Sequence, residues 1–397
     1  MGSANRILVA GAGPVGAIAA LAFADSGFDV TLLGPRAGEG DRRTTALMTP
    51  SLNLMGRLGL LDEIAAGAAP LNAMRIVDGT SRLVRAPTVT FRASEIGELY
   101  FGLNIPNAHL FEVLERAVAA QPAIERHERL IAGWEIGRDG IAAVLDDGAH
   151  IEGTLAAAAD GRNSRAREAA GISARRSDLP QAALVANIGH TIDHGHISTE
   201  FHTETGPFTQ VPLPGRRSSI VWVLKPADAK ELAGLGDEVL AARIEARMQS
   251  MLGRVTVEPG RQVYPLSTLT PARFARNRVA LVGEAAHVFP PIGAQGLNLG
   301  IRDVEDLVAV AAEYSADPGA DNAMSAYDRR RRPDILARAG AVNMLNRSLL
   351  TGMLPAQLAR AAGLAALDAF APLRGFFMRE GLRPGSGFAT LKLERPL

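Results

Sequence analysis

Cysteine is absent from the 397-residue chain. That excludes disulfides, thiolate catalysis, thiolate-bound zinc and iron–sulfur clusters. Lysine occurs only at Lys225, Lys230 and Lys392, and the other cations are arginine. Net charge is also missing, with 42 basic and 42 acidic side chains. A strongly basic nucleic-acid binder would carry a cation excess, so that class is excluded. No uninterrupted apolar run reaches the ~18 residues a membrane span requires. The first six residues offer no apolar signal region. The hydrolase and kinase signatures G-x-S-x-G, H-E-x-x-H and the Walker lysine are lacking too. The expectation is a soluble cytoplasmic protein that binds no nucleic acid.

What is present is ample core material. Hydrophobic residues make up 47% of a chain whose length suits two or three domains. The start reads as strand, glycine turn and helix: Ile7-Leu8-Val9-Ala10, then a small-residue helix over 17–25, then a strand at Val30-Thr31-Leu32-Leu33. Apolar runs of this kind suit strands buried on both faces. Residues 50–66 and 106–120 read as amphipathic helices, and 141–159 as a hairpin leading into a buried strand. Residues 181–224 alternate and are punctuated by Gly and Pro, the pattern of an antiparallel sheet. A helix near 236–252 and a strand near 256–266 follow. Val279-Ala280-Leu281-Val282 returns to the buried-strand pattern, and from Gly300 onward the chain is mostly helical. The plan is an α/β nucleotide domain interrupted by a β-rich insertion and closed by C-terminal helices.

Three glycine-bearing segments each follow a buried strand. The first is Gly11-Ala12-Gly13-Pro14-Val15-Gly16, a G-x-G-x-x-G opening a helix. Its glycines permit the tight turn, the close approach of a pyrophosphate and helix–strand packing. The helix-start amides would face the phosphates. The competing reading is a glycine turn without ligand. An acidic residue usually ends the second strand to hold the ribose; here Gly34 and Pro35 stand there, and Glu39 or Asp41 could fold back to serve. The second segment is Asp160-Gly161-Arg162-Asn163-Ser164-Arg165-Ala166-Arg167, suited to a polyanionic cofactor or to a plain Asp-Gly turn. The third runs from Gly283-Glu284-Ala285-Ala286-His287 through Pro290-Pro291-Ile292-Gly293-Ala294-Gln295-Gly296-Leu297-Asn298. Its prolines and glycines stiffen a loop before a helix, and that helix start would point positive charge at a flat ring.

In this order and spacing, the chain resembles the flavin-dependent aromatic hydroxylases, the single-component class that includes p-hydroxybenzoate hydroxylase. The resemblance runs from Arg6 to about Arg331. Asp160, Gly161, Ser164 and Arg167 match that family's D-G-x-x-S-x-V-R, with Ala166 in place of valine, and Glu284 replaces the usual aspartate of Gly-Asp. The segments Asp41-Arg42-Arg43-Thr44-Thr45-Ala46-Leu47 and 291–303 look like the ubiquinone-biosynthesis hydroxylases. The resemblance implies α/β architecture: a Rossmann-like FAD-binding domain over 1–75, 98–175 and 270–320, a β-rich substrate domain over 76–97 and 176–269, and a C-terminal helical region over 321–397. It implies FAD contacts at Gly11, Gly13, Pro14, Val15, Gly16, Arg43, Asn107, Leu130, Asp160, Gly283, Glu284, Pro291, Gly293, Gly296, Leu297 and Asn298. It further implies NAD(P)H as a transient co-substrate and O₂ as oxidant. A C4a-hydroperoxyflavin would then deliver one oxygen atom to a phenolic ring, in the first instance that of a polyprenyl-phenol intermediate of ubiquinone synthesis. A small soluble aromatic acid as substrate, with Arg216-Arg217 as the carboxylate partner, and a non-catalytic scaffold in a biosynthetic complex are the alternatives.

Other features carry expectations of their own. Phe208, Gln210, Pro212 and Trp222 are candidates to roof a dry pocket, or ordinary sheet core. His190, His194, His196 and His202 suggest surface histidines more than a metal site. His287 could serve the cofactor or the fold. Arg329-Arg330-Arg331-Arg332 before Pro333 reads as a solvated helix end. Residues 349–378 are amphipathic and could pack on the core, form a homodimer or lie on the inner membrane to meet an apolar substrate.

Overall fold

A computed structural model describes residues 6–36, 41–80, 85–290, 295–350, 354–382 and 385–387. Continuous apolar runs build its first sheet. Strands β1 (Arg6–Ala12), β2 (Asp29–Arg36), β8 (Ile124–His127), β12 (Leu155–Ala158), β19 (Ala275–Arg276) and β20 (Val279–Leu281) line up in the order β19-β20-β12-β1-β2-β8. All pairs are parallel except β19–β20. Ile7 to Ala10 and Leu155 to Ala158 are fully buried, as a sheet covered on both faces demands. Helix α1 (Pro14–Asp25) covers it with its Ala17–Phe23 stretch. Helices α4 (Asn107–Ala120) and α8 (Gln295–Glu313) pack beside α1.

The alternating segments form an eight-stranded sheet. It comprises β5 (Ala73–Asp78), β6 (Val89–Arg92), β13 (Ala174–His190), β14 (Ile197–Thr203), β15 (Gly206–Leu213), β16 (Arg217–Leu224), β17 (Val255–Val257) and β18 (Gln262–Pro271). The order is β17-β13-β16-β15-β14-β5-β6, with β18 also paired to β13. Helices α6 (Pro226–Gly234) and α7 (Asp237–Arg247) cover one face. Two three-stranded sheets complete the β structure among the described residues. One is β9 (Ile131–Ile136), β10 (Ile141–Leu145) and β11 (His150–Gly153); the other is β3 (Thr44–Met48), β4 (Ala69–Pro70) and β7 (Gly102–Pro106).

The expected 50–66 helix is two helices, α2 (Thr49–Arg57) and α3 (Leu61–Ala66), broken at Gly59. The second motif carries a short α5 (Arg165–Ala169). After α8 come α9 (Asp321–Leu350), α10 (Leu354–Ala369) and α11 (Ala371–Leu382). Among the described residues no single helix is long and apolar enough to cross a membrane, and α10 and α11 meet at a 106° bend.

The arginine run 329–332 does not end a helix. Pro333 lies inside α9, and Arg331 is among the most buried side chains of the protein. Its guanidinium pairs with Asp303 (2.8 Å), Asp306 (2.8 Å) and Asp334 (3.1 Å). Burial opposes the charge, and these carboxylates outweigh it and hold the Arg331 pKa above its ordinary value. The histidines are not surface groups either. His190, His194 and His202 are buried. His190 lies between the Ile192 carbonyl and Ser218 Oγ, His194 reaches the Leu213 carbonyl, and His202 reaches Glu200.

Candidate cofactor and substrate site

The three motifs meet because their strands are neighbours. Ala10, Ala158 and Leu281 stand in one row across β1, β12 and β20. The chain leaves that row at Gly11, Asp160 and Gly283, so all three loops open at the carboxyl edge of a parallel sheet, where such sheets bind ligands.

Gly11 adopts φ +99°, and a Cβ there would lie 2.4 Å from the Ala159 carbonyl oxygen. At Gly16 a Cβ would lie 1.8 Å from the Gly11 oxygen, so α1 is packed down on the turn. Gly13 is different. Its Cβ position has nothing within 4 Å, and as N-cap of α1 it supplies no side-chain cap. The unpaired first-turn amides therefore open onto free space beside Gly13. Pro14 fixes the first helical residue, and Val15 packs against Gly283 and Gly300, joining the first motif to the third.

In the second motif most polar groups build the loop. Ser164 Oγ accepts the Arg167 N–H at 3.0 Å, and Asp160 Oδ2 accepts the Ala166 N–H at 3.1 Å. Buried Arg167 donates to the Ala285 and Arg162 carbonyls, each at 3.0 Å. Asp160 Oδ1 is buried without a partner, and burial raises the pKa of this carboxyl. An orphaned acceptor is costly, and a cofactor hydroxyl would satisfy it.

The third motif is anchored by a residue that sequence reasoning passed over. Asp303 Oδ2 accepts from the Gly283 N–H at 3.0 Å and meets His287 Nε2 at 2.7 Å. Asp303 and His287 are 0% and 1% exposed, which makes His287 a structural group, stacked at 5.6 Å on Phe289. The signal was Asp303 itself, the last residue of the 291–303 segment that carries the resemblance. Glu284 faces Arg162 at 3.2 Å. Asn298 donates to the Ala46 carbonyl at 2.7 Å and accepts from the Met48 N–H and Ser51 Oγ, each at 2.8 Å, so it ties α8 to β3. Gly296 is exposed and Leu297 half-buried. Pro291 and Gly293 lie outside the described residues.

Arg43 and Asn107 come together through Asp41, which accepts from both. Asp41 is thereby engaged on both oxygens; Glu39 lies outside the described residues. Leu130 is 59% exposed beside Ile131, whose carbonyl receives Arg165 of the second motif at 3.0 Å. A cavity of about 470 Å³ separates segment 41–43 from the large sheet, lined there by Asn187, Leu213, Arg217 and Glu258.

The roof candidates point the other way. Strand pairing places Phe208, Gln210, Pro212 and Trp222 on one face, and Phe208 and Trp222 pack there with Leu240, Ile244 and Met248 of the helical cover. The face toward the cavity carries the alternate residues: Val185 and Asn187, Ser219 and Val221, Thr209, Val211 and Leu213.

Comparison with known proteins agrees with this geometry. The chain is 32% identical to the ubiquinone hydroxylase UbiL of Rhodospirillum rubrum, over 99% of this chain and 92% of that one. It is 27% identical to the 3-demethoxyubiquinol 3-hydroxylase of Escherichia coli, over 92% and 95%. Its fold matches the p-nitrophenol 4-monooxygenase PnpA of Pseudomonas putida with a TM-score of 0.76 at 20% identity, over 99% and 100% of the two chains. Residues 5–339 match the FAD binding domain family, and the chain belongs to that family.

Proposed function

We propose that the protein is an FAD-dependent monooxygenase that uses NAD(P)H and O₂ to hydroxylate the phenolic ring of a ubiquinone precursor. The observation that carries this reading is the emergence of the three glycine-bearing loops from adjacent parallel strands at one sheet edge, with open space at Gly13. The α1 amides would hold the pyrophosphate, Asp160 Oδ1 a hydroxyl, Glu284 a sugar hydroxyl, and the α8 start the ring end of FAD. Bound there, FAD supplies electron transfer from NAD(P)H and the activation of oxygen. The chain's own residues orient the cofactor, keep water out and present the aromatic ring.

Val185, Val211 and Val221 share a sheet face with Asn187 and Leu213 of the cavity lining, while Asp41, Arg42, Arg43, Arg217 and Glu258 make the cavity wall itself charged. Arg217, a candidate for pairing a substrate carboxylate, is already held in a two-point ion pair by Glu258 at 2.6 and 2.7 Å. The surface around the α10–α11 bend exposes Ala365, Ala366, Ala369, Phe370 and Pro372, with Asp368 as its exposed charge. Phe370 and Phe377 are 57% and 52% exposed. We read this bend as the part of the protein that rests on a membrane to receive a polyprenylated substrate.

Deleting the gene and identifying the quinone precursor that accumulates tests the assignment. A precursor lacking one ring hydroxyl is expected. Normal quinone levels together with a flavin-loaded protein would remove the ubiquinone reading.

A further inference from the structure

Segment 41–45 is gripped from two sides. On one side, Asp41 takes Arg43 in a two-point ion pair, Nε to Oδ1 at 2.9 Å and Nη2 to Oδ2 at 2.7 Å, and also accepts the Arg43 backbone N–H at 3.0 Å. Asn107 supports the carboxylate, donating to Asp41 Oδ2 at 2.9 Å while its own oxygen accepts from Thr45 Oγ1 at 2.7 Å. Burial would raise the Asp41 carboxyl, but the bonds from Arg43 and Asn107 outweigh it and hold its pKa below the ordinary value. On the other side, the Tyr264 ring from β18 lies under the guanidinium, its centroid 5.1 Å from Arg43 Cζ. The Tyr264 hydroxyl is occupied by Gln262, so the ring face is what Arg43 meets. The pair stands close enough to the third motif that Glu284 contributes to raising the Arg43 pKa.

Asp41 therefore fixes the edge of the guanidinium, and the Tyr264 ring covers one side of it. Tyr264 belongs to the sheet that faces the cavity, and Arg43 lines that cavity from the opposite segment. We propose that Asp41 and Tyr264 are positioning residues that preorganise the Arg43 guanidinium for the cofactor, with β18 linking the substrate sheet to the flavin. The inference rests on the reading of Arg43 as a cofactor contact. A guanidinium stacked on an aromatic face and fixed at one edge loses little further freedom on binding.

The test uses full-length apoprotein, with FAD affinity read from quenching of FAD fluorescence and the fold read from the melting temperature. Arg43→Met is expected to weaken FAD binding by about tenfold. Tyr264→Leu is expected to weaken it severalfold with a melting temperature close to that of the parent, and Tyr264→Phe, which keeps the ring, restores the affinity. Asp41→Asn, which removes the charge that holds Arg43, weakens it as well. The double variant Arg43→Met with Tyr264→Leu binds FAD no more weakly than Arg43→Met alone, because Tyr264 acts through Arg43. Additive losses in the double variant, or failure of Tyr264→Phe to restore affinity, overturn the proposal. Parent-like FAD binding by Arg43→Met overturns the reading of Arg43 itself and the proposal with it.

Discussion

The guanidinium of Arg167 reaches the carbonyl of Ala285 at 3.0 Å, across 118 residues of sequence. This contact locks the second motif to the third. Its second arm holds the Arg162 carbonyl, so one side chain fixes both walls of the loop that would face the flavin. Arg167→Met keeps the apolar stem but leaves two carbonyls without their donor. A loss of about 1–3 kcal/mol in unfolding free energy is expected, accompanied by weaker FAD retention. Denaturant unfolding and flavin content after gel filtration measure the two effects. A variant as stable as the parent would show that Arg167 does not lock the loops.

The glycines of the first motif make opposite predictions. Gly13 has an extended backbone and open space where a Cβ would stand. Gly13→Ala is expected to leave the melting temperature of the apoprotein unchanged while FAD affinity falls by tenfold or more, since the methyl occupies the place of the pyrophosphate. Gly16→Ala collides with the Gly11 oxygen and should cost roughly 1–3 kcal/mol of stability as overpacking. Melting the two apoproteins separates ligand space from packing space. Equal melting temperatures would contradict that division.

Asp160 links pH to the site. Burial raises its folded pKa, so the fold binds this proton more tightly than the unfolded chain does. Its contribution to stability is then fully present below the unfolded carboxyl value and is lost as pH rises through the folded pKa. Asp160→Asn keeps an acceptor for the Ala166 N–H but places a donor where Oδ1 stands. The variant apoprotein should melt above the parent near neutral pH, with the gap closing below about pH 4, and should bind FAD more weakly. Parallel pH–stability curves for variant and parent would show that the carboxyl carries no such strain.

The buried strands, the glycine turns and their order were legible because short apolar runs followed by Gly are local signals. The convergence of the loops was not local. It depends on β12 lying beside β1 and β20 beside β12, which the resemblance implied and spacing alone did not. The roof residues failed for a different reason. Alternation says which residues share a face of β15 and β16, but not which face is covered by helix and which by the cofactor side. Aromatic size drew attention to Phe208 and Trp222, and these fill the ordinary helix–sheet core. Arg331 was misread because a run of arginines looks solvated until the carboxylates of Asp303, Asp306 and Asp334 arrive from α8 and the next turn of α9.

The two faces of the large sheet can be told apart in solution. Val221 lies on the cavity side and its neighbour Trp222 on the helix side. Val221→Phe adds bulk to the sheet face that carries Asn187 and Leu213 of the cavity lining and should raise the KM for the phenolic substrate several-fold, with FAD affinity and melting temperature near those of the parent. Trp222→Ala empties the core on the other face and should lower stability by about 3–5 kcal/mol without changing the KM of the protein that remains folded. Steady-state NAD(P)H oxidation and thermal melts give both numbers. A KM effect confined to Trp222→Ala would reverse the assignment of faces.

The bend between α10 and α11 carries the last prediction. An exposed helix surface in water normally carries charges, whereas here the outward residues from Ala362 to Pro372 include one, Asp368. Leaving Phe370 and Phe377 in water costs free energy that a lipid surface would recover, since about 25 cal/mol is gained for each Å² of apolar area buried. The parent protein should float with vesicles of phosphatidylethanolamine and phosphatidylglycerol, and Phe370→Ser with Phe377→Ser should lose most of that binding. Because both side chains point outward, the double variant should keep its melting temperature and its turnover of a short-chain phenol, and lose turnover of a long-chain phenol held in vesicles. A parent protein that stays with the aqueous fraction and instead sediments as a dimer would assign the bend to a second copy of the chain.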